Sequence, residues 1–167
     1  MALGPPSPLA DHHEIAAFSC GEPSLDDWLR RRSRANQASG ATRTFIVADQ
    51  MRVVAYYALS SGDLSCRDAP GRFRRNMPEP IPVAILARLA VDQAYAGQGL
   101  GRALMRDCGQ RVLRAADTIG IRGVVVHAIS EEAKDFYLRF GFSVSPVQPM
   151  TVMVTLADLH ASLNRPS

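Results

Sequence analysis

Three glycines fall within five residues, Gly97-Gln98-Gly99-Leu100-Gly101, directly between a mostly apolar run and a run of helical spacing. The first amides of a helix have no partner inside it. The helix dipole adds partial positive charge at that end. Glycine removes the Cβ atoms that would keep a phosphate away from the backbone. This pattern therefore suits a pyrophosphate cradle. A dinucleotide-binding turn would need its third glycine one position later than Gly101 and an early place in the chain. A P-loop would need Gly-Lys-Ser/Thr, which is absent. A tight turn that serves only packing is the other open reading.

Positive charge is the second chemical signal. Lys134 is the only lysine among 19 basic residues, so nearly all the positive charge is guanidinium. That planar fork matches phosphate oxygens. Arg30, Arg31, Arg32 and Arg34 form one run, and Arg67, Arg72, Arg74 and Arg75 a second. On a helix, Arg30 and Arg34 share a face and repel slightly, which a polyanion would relieve. For any single one of them, a solvated face is the more ordinary reading. Tyr137 lies on an apolar, aromatic helical segment and reads either as a core aromatic or as a proton donor. His12 and His13 read as incidental residues of the tail. His127, inside an apolar run, reads as a satisfied core histidine.

These groups need positioning elements. A helix is expected over 24–38, started by Ser24 and with Leu25, Trp28 and Leu29 as its apolar face. Strands follow at 44–48 and 53–59, with a turn at Asp49-Gln50. A polar loop spans 60–82, and a central strand spans 83–91. The glycine turn then opens a helix over 100–119, with Leu104, Cys108, Val112, Ala115 and Ile119 on one side. A strand over 123–129, a helix over 131–140 between Ser130 and Gly141, and a strand over 150–156 complete the order. The alternation predicts an α/β (α+β) layer around one mixed sheet.

The chain has 167 residues, 47% of them apolar, enough for one domain. We expect a loose tail over 1–13, the domain over 14–160 and a second tail over 161–167. No run approaches the roughly 20 apolar residues of a membrane span. Cys20, Cys66 and Cys108 fit neither a disulfide framework nor a metal site. A cytoplasmic setting is expected.

Leu89-Ala90-Val91 followed by Ala96-Gly97-Gln98-Gly99-Leu100-Gly101 resembles the acyl-CoA motif of the GNAT superfamily of N-acetyltransferases, Arg/Gln-x-x-Gly-x-Gly/Ala. Ala133, Phe136, Tyr137, Gly141 and Phe142 resemble its later Ala-x-x-Phe-Tyr…Gly-Phe segment. Ala96 departs from the motif and removes one side chain from the phosphate side. The stretches Phe18-Ser19-Cys20-Gly21, Leu25-Asp26-Asp27-Trp28-Leu29, then Asn36, Arg43-Thr44-Phe45 and Leu86 to Asp92 resemble the GNAT toxins of toxin–antitoxin pairs.

The resemblance implies a single GNAT domain whose mostly antiparallel sheet has splayed central strands. It implies acetyl-CoA as co-substrate, held by Leu89, Ala90 and Val91, by Ala96 through Arg102, and by Ser130, Phe136 and Phe140, with no metal. It implies Tyr137 as the acid that protonates the leaving thiolate, since an ordinary phenol has a pKa of about 10. It further implies acetylation of the α-amino group of aminoacyl-tRNA, a ribbon-helix-helix antitoxin, and a homodimer. Arg74, Arg75 and Arg88 are then the expected tRNA contacts, with Arg30 and Arg34 contributing. No carboxylate lies on the strand over 83–91 to serve as base. That suits an α-amine, with a pKa of about 7.7–8.0, better than a lysine at about 10.4. The alternatives are a GNAT enzyme for a small amine or protein N-terminus, and a catalytically silent CoA-binding partner protein.

Overall fold

The computed structural model describes residues 3–165. Residues 1, 2, 166 and 167, at the ends of the two expected tails, lie outside them. The elements in order are β1 (Ser7–Pro8), α1 (Pro23–Arg31), α2 (Ser33–Ser39), β2 (Arg43–Asp49), β3 (Arg52–Leu64), α3 (Gly71–Arg74), β4 (Ile81–Val91), α4 (Leu100–Ala115), β5 (Gly123–His127), α5 (Glu131–Arg139), β6 (Ser143–Val144), β7 (Thr151–Thr155) and α6 (Leu156–Leu163). The strands form one sheet in the order β1-β2-β3-β4-β5-β7-β6. Pairings β1–β2, β2–β3, β5–β7 and β6–β7 are antiparallel, and β4–β5 is parallel. The β4–β5 ladder registers two pairs, Ala84 with Val124 and Ile85 with Val125, against five for β5–β7. A short central ladder is what splayed strands leave.

The chain packs as two compact units. One holds the residues up to Ser60 together with Ala87–Cys108, and the other holds Ser61–Leu86 together with Gly109 onward. In the first unit, α1 lays Leu25, Trp28 and Leu29 against Phe18, Ile46, Val53 and Tyr56. In the second, Phe73, Ile81, Val83, Val125 and Met153 form the core. Leu104, Cys108 and Val112 are buried along α4, as their spacing requires.

Several expectations need correction. The N-terminal segment is no loose tail: Ser7 and Pro8 pair with Ile46 and Phe45, and Leu9 is in the core. Proline is tolerated there because β1 is an edge strand. His13 is buried, and its Nδ1 accepts from the Ala10 amide at 2.9 Å. The expected helix over 24–38 is two helices broken at Arg32 (φ −121°). Its start is set by Pro23 in the first turn rather than by Ser24, whose hydroxyl bonds the Glu22 side chain. The expected loop over 60–82 contains the end of β3, a 3-10 turn at Cys66–Asp68, and α3. Helix α4 stops at Ala115, leaving Ile119 exposed. Residues 161–163 belong to α6, which buries Leu159 and Leu163.

Candidate active site

β4 ends at Val91, and Asp92 caps a 3-10 turn at Gln93–Tyr95 by accepting from the Ala94 amide at 2.9 Å. Ala96 is extended, and Gly97 and Gly99 have φ of +80° and +78°, a region that side chains other than glycine rarely enter. A Cβ at either glycine would meet no protein atom within 4 Å. Both therefore face open space and not a packed neighbour. The first helical bond of α4 runs from the Ala103 amide to the Gly99 carbonyl at 3.1 Å. Among the described residues, no acceptor engages the amides of Gly97, Gln98, Gly99, Leu100 or Gly101. Five unmade donors at the start of a 16-residue helix fit a pyrophosphate.

The turn is anchored from below. Asp92 is 2% exposed. Its Oδ2 accepts from the Ser19 amide at 3.0 Å and from Arg52 Nη2 at 3.3 Å. The Gln93 amide donates to the Ser19 carbonyl at 2.9 Å. The Tyr95 hydroxyl donates to Asp49 Oδ2 at 2.6 Å, and that bond holds the phenol protonated to higher pH than usual. The Arg52 guanidinium lies 5.8 Å over the Tyr95 ring. Sequence reasoning gave Arg52 and Tyr95 no role and read Asp49 only as a turn residue. Asp92 had a local signal, an Asp two residues before an amide it caps.

On β4, Ala90 is buried in the core of the first unit, and the flanking Leu89 and Val91 are part exposed, as strand alternation dictates. In the second unit, Ser130 caps α5 by accepting from the Ala133 amide at 3.1 Å. Gly141, at φ +96°, ends the helix, and the Tyr137 carbonyl accepts from the Phe140 and Phe142 amides at 3.0 and 3.2 Å. Tyr137 is 5% exposed, with its ring 5.2 Å from that of Phe136 and 5.5 Å from that of Phe142. Phe136 and Phe140 pack at 5.6 Å and stay part exposed. His127 is exposed rather than core, and its Nδ1 lies 2.9 Å from Thr151 Oγ1.

The arginines separate by partner. Arg30 donates to the Phe18 carbonyl at 2.7 Å and to Asp27, and Arg34 donates to the His13 carbonyl. They lie on different helices, so the shared face expected from their spacing does not form. Both tie the segment 13–18 to α1 and α2. Arg72 is held by Asp158 in a bidentate pair at 2.7 and 2.8 Å. Arg74 and Arg75 are exposed and have no partner among the described residues. Arg75 borders a cavity of about 610 Å³ with Arg72, Arg122 and the first turn of α6. Arg88 is half-buried over the Trp28 ring at 4.6 Å.

Residues 41–144 match the family model described as the acetyltransferase (GNAT) domain. The chain belongs to the GNAT acetyltransferase family. It is 48% identical over 156 residues to a tRNA-acetylating toxin of Mycobacterium tuberculosis, an alignment that covers 93% of this chain and 94% of the relative. Among solved structures it resembles a tyrosine mutant of KacT (TM-score 0.89, 26% identity, 96% of this chain and 99% of that one). It also resembles AtaTR bound with AcCoA (TM-score 0.80, 25% identity, 95% and 96% of the two chains).

Two features mark this GNAT chain. Ala96 stands where the family motif has Arg or Gln, and its amide closes the 3-10 turn on the Gln93 carbonyl at 3.3 Å. Position 96 therefore adds no polar side chain beside the backbone of residues 97–101. Second, β4 carries no carboxylate between Ile81 and Val91, and Asp92 just beyond it already holds two amides and a guanidinium. β4 itself and the turn just after it therefore offer no unengaged carboxylate to act as base.

Proposed function

We propose that this protein transfers acetyl from acetyl-CoA to the α-amino group of aminoacyl-tRNA and thereby blocks translation. The observation that carries the reading is the 48% identity, nearly end to end, with a tRNA-acetylating toxin. It joins a glycine turn whose five amides are unengaged. Bound acetyl-CoA supplies the activated thioester. The amides of Gly97 through Gly101 and the backbone of Leu89 and Val91 hold it, with Ala90, Ala96, Arg102, Ser130, Phe136 and Phe140 completing the site. The neutral amine nitrogen forms the new amide bond as the carbon–sulfur bond breaks, and it gives up one proton to solvent. Tyr137 gives its hydroxyl proton to the departing sulfur and regains one from solvent. The lack of a free carboxylate on β4 suits an acceptor amine already partly neutral at pH 7. Arg74, Arg75 and Arg88 take tRNA phosphates, while Arg30 and Arg34 act first on segment 13–18.

The same reading assigns the toxin a ribbon-helix-helix antitoxin, a homodimeric state and the cytoplasm. No helix among the described residues is long and apolar enough to cross a membrane.

The test supplies the purified protein with labelled acetyl-CoA, total charged tRNA and a peptide mixture. Label should enter tRNA, and Tyr137→Phe should abolish transfer while keeping acetyl-CoA affinity by calorimetry. Label confined to peptides overturns the tRNA reading. Transfer undiminished in Tyr137→Phe overturns the role of the phenol.

A further inference from the structure

Trp28, on α1, is 8% exposed and stacked on Tyr56 with centroids 5.9 Å apart and planes 9° apart. Tyr56 is itself fixed, its hydroxyl donating to the Leu25 carbonyl at 2.7 Å and its ring meeting Phe18 edge-on at 5.4 Å. Burial pushes the Tyr56 phenol far up, so it stays neutral. The indole is thus clamped from behind. Arg88, one residue before Leu89 on β4, rests its guanidinium carbon 4.6 Å from the centroid of that indole.

Arg88 differs from Arg52 and Arg30 of the same unit, whose side chains are engaged. Arg52 has Asp92, and Arg30 has Asp27 and a carbonyl. Asp26, the buried acid of α1, accepts from the Cys20 amide at 2.9 Å. The Arg88 side chain has neither hydrogen bond nor ion pair among the described residues, yet the residue is half-buried. A guanidinium partly removed from water with no anion is unfavourable unless an anion arrives. Stacking on tryptophan holds the plane of the fork and leaves its N–H edges open, the arrangement that recognises a phosphate.

We propose that Trp28 is a positioning residue that presents Arg88 to a backbone phosphate near the charged 3′ end of the tRNA. The inference rests on the tRNA reading above. Arg88 supplies the charge, and the indole fixes where it points. The chain position next to Leu89 places this contact beside the strand that holds the thioester, so it orders the end of the tRNA that reacts.

The test is steady-state acetylation of total charged tRNA by the full chain, with melting curves as the folding control. Trp28→Phe keeps an apolar ring but weakens the cation–π contact, and it should raise KM for tRNA about threefold. Arg88→Met should raise it about tenfold. In both, kcat and the KM for acetyl-CoA should hold. In Arg88→Met, the slope of log KM against log salt should become shallower by about 0.7–0.9, the loss of one phosphate contact. Adding Trp28→Phe to Arg88→Met should change nothing further. The proposal is overturned if Trp28→Phe raises KM equally in both backgrounds, if the salt slope is unmoved in Arg88→Met, or if the KM for acetyl-CoA rises in parallel. A wild-type protein inactive on charged tRNA removes the tRNA reading and this inference together. An active wild type in which Arg88→Met weakens tRNA binding but Trp28→Phe does not removes this inference alone; indifference of both variants removes it together with Arg88 as a tRNA contact.

Discussion

The Oδ2 atom of Asp92 lies 3.0 Å from the amide of Ser19, joining residues 73 positions apart. The other oxygen of the same carboxylate caps the turn that leads into the glycines. Asp92→Asn replaces an acceptor-only group with one that must present donors to the Ser19 amide, the Ala94 amide or Arg52. A buried hydrogen bond to a charged group contributes about 1.5–3 kcal/mol. A loss of that size in a chain of this length lowers Tm by several degrees. If the turn's amides hold phosphate as proposed, the affinity for acetyl-CoA should fall about tenfold. Calorimetry with CoA reads this, and an unchanged affinity would show that Asp92 supports the fold without shaping the cradle.

Gly99 tests the cradle itself. Its φ of +78° costs any other L-residue about 1–2 kcal/mol. No protein atom lies near its absent Cβ, so Gly99→Ala meets no steric clash inside the protein. The variant should melt only a few degrees lower, but its affinity for acetyl-CoA should fall at least tenfold. Binding that tracks the small loss of stability, with no excess, would argue that the amides around residue 99 do not hold phosphate.

The glycine turn and the Tyr137 helix were legible because their signals are local. A glycine pair before a helical stripe, and a serine cap with a glycine stop, specify geometry within a few residues. The supports of the turn were not legible, since Asp49, Arg52 and Ser19 reach it only once β2 and β3 have paired. The split of the first helix escaped for a related reason. The run over 24–38 has no internal proline or glycine, and the break at Arg32 follows from tertiary demands on Arg30 and Arg34, which reach back to residues 18 and 13. The ordered N-terminus was hidden because two paired residues and one buried leucine leave no periodic pattern.

His13 makes that N-terminal segment sensitive to pH. Burial foremost, then His12 and Arg34, lowers its pKa below the usual 6.5. Its Nδ1 must be unprotonated to accept from the Ala10 amide. The neutral ring therefore contributes stability that is complete above about pH 6.5 and is lost as pH falls through the lower folded value. Urea midpoints should decline from pH 7 to pH 5.5 in the wild type. His13→Asn keeps an acceptor near the same place without titrating, so its decline over that window should be smaller. Equal declines in the two proteins would assign the effect to another group.

Arg72, Arg74 and Arg75 are close in sequence yet unequal in what they can offer RNA. Arg72 is already engaged by Asp158, whose carboxyl is held below its usual range by that pair. The Arg74 and Arg75 side chains are exposed and have no partner among the described residues. A phosphate bound by Arg72 would have to displace a bidentate carboxylate, whereas one bound by Arg74 or Arg75 displaces only water and counterions. Arg74→Glu with Arg75→Glu should therefore raise the KM for charged tRNA more than tenfold and flatten its salt dependence, leaving the KM for acetyl-CoA in place. Arg72→Gln should change the KM for tRNA less than twofold. Equal losses from the two changes would mean that net charge alone, and not the availability of a free guanidinium, governs binding on this face.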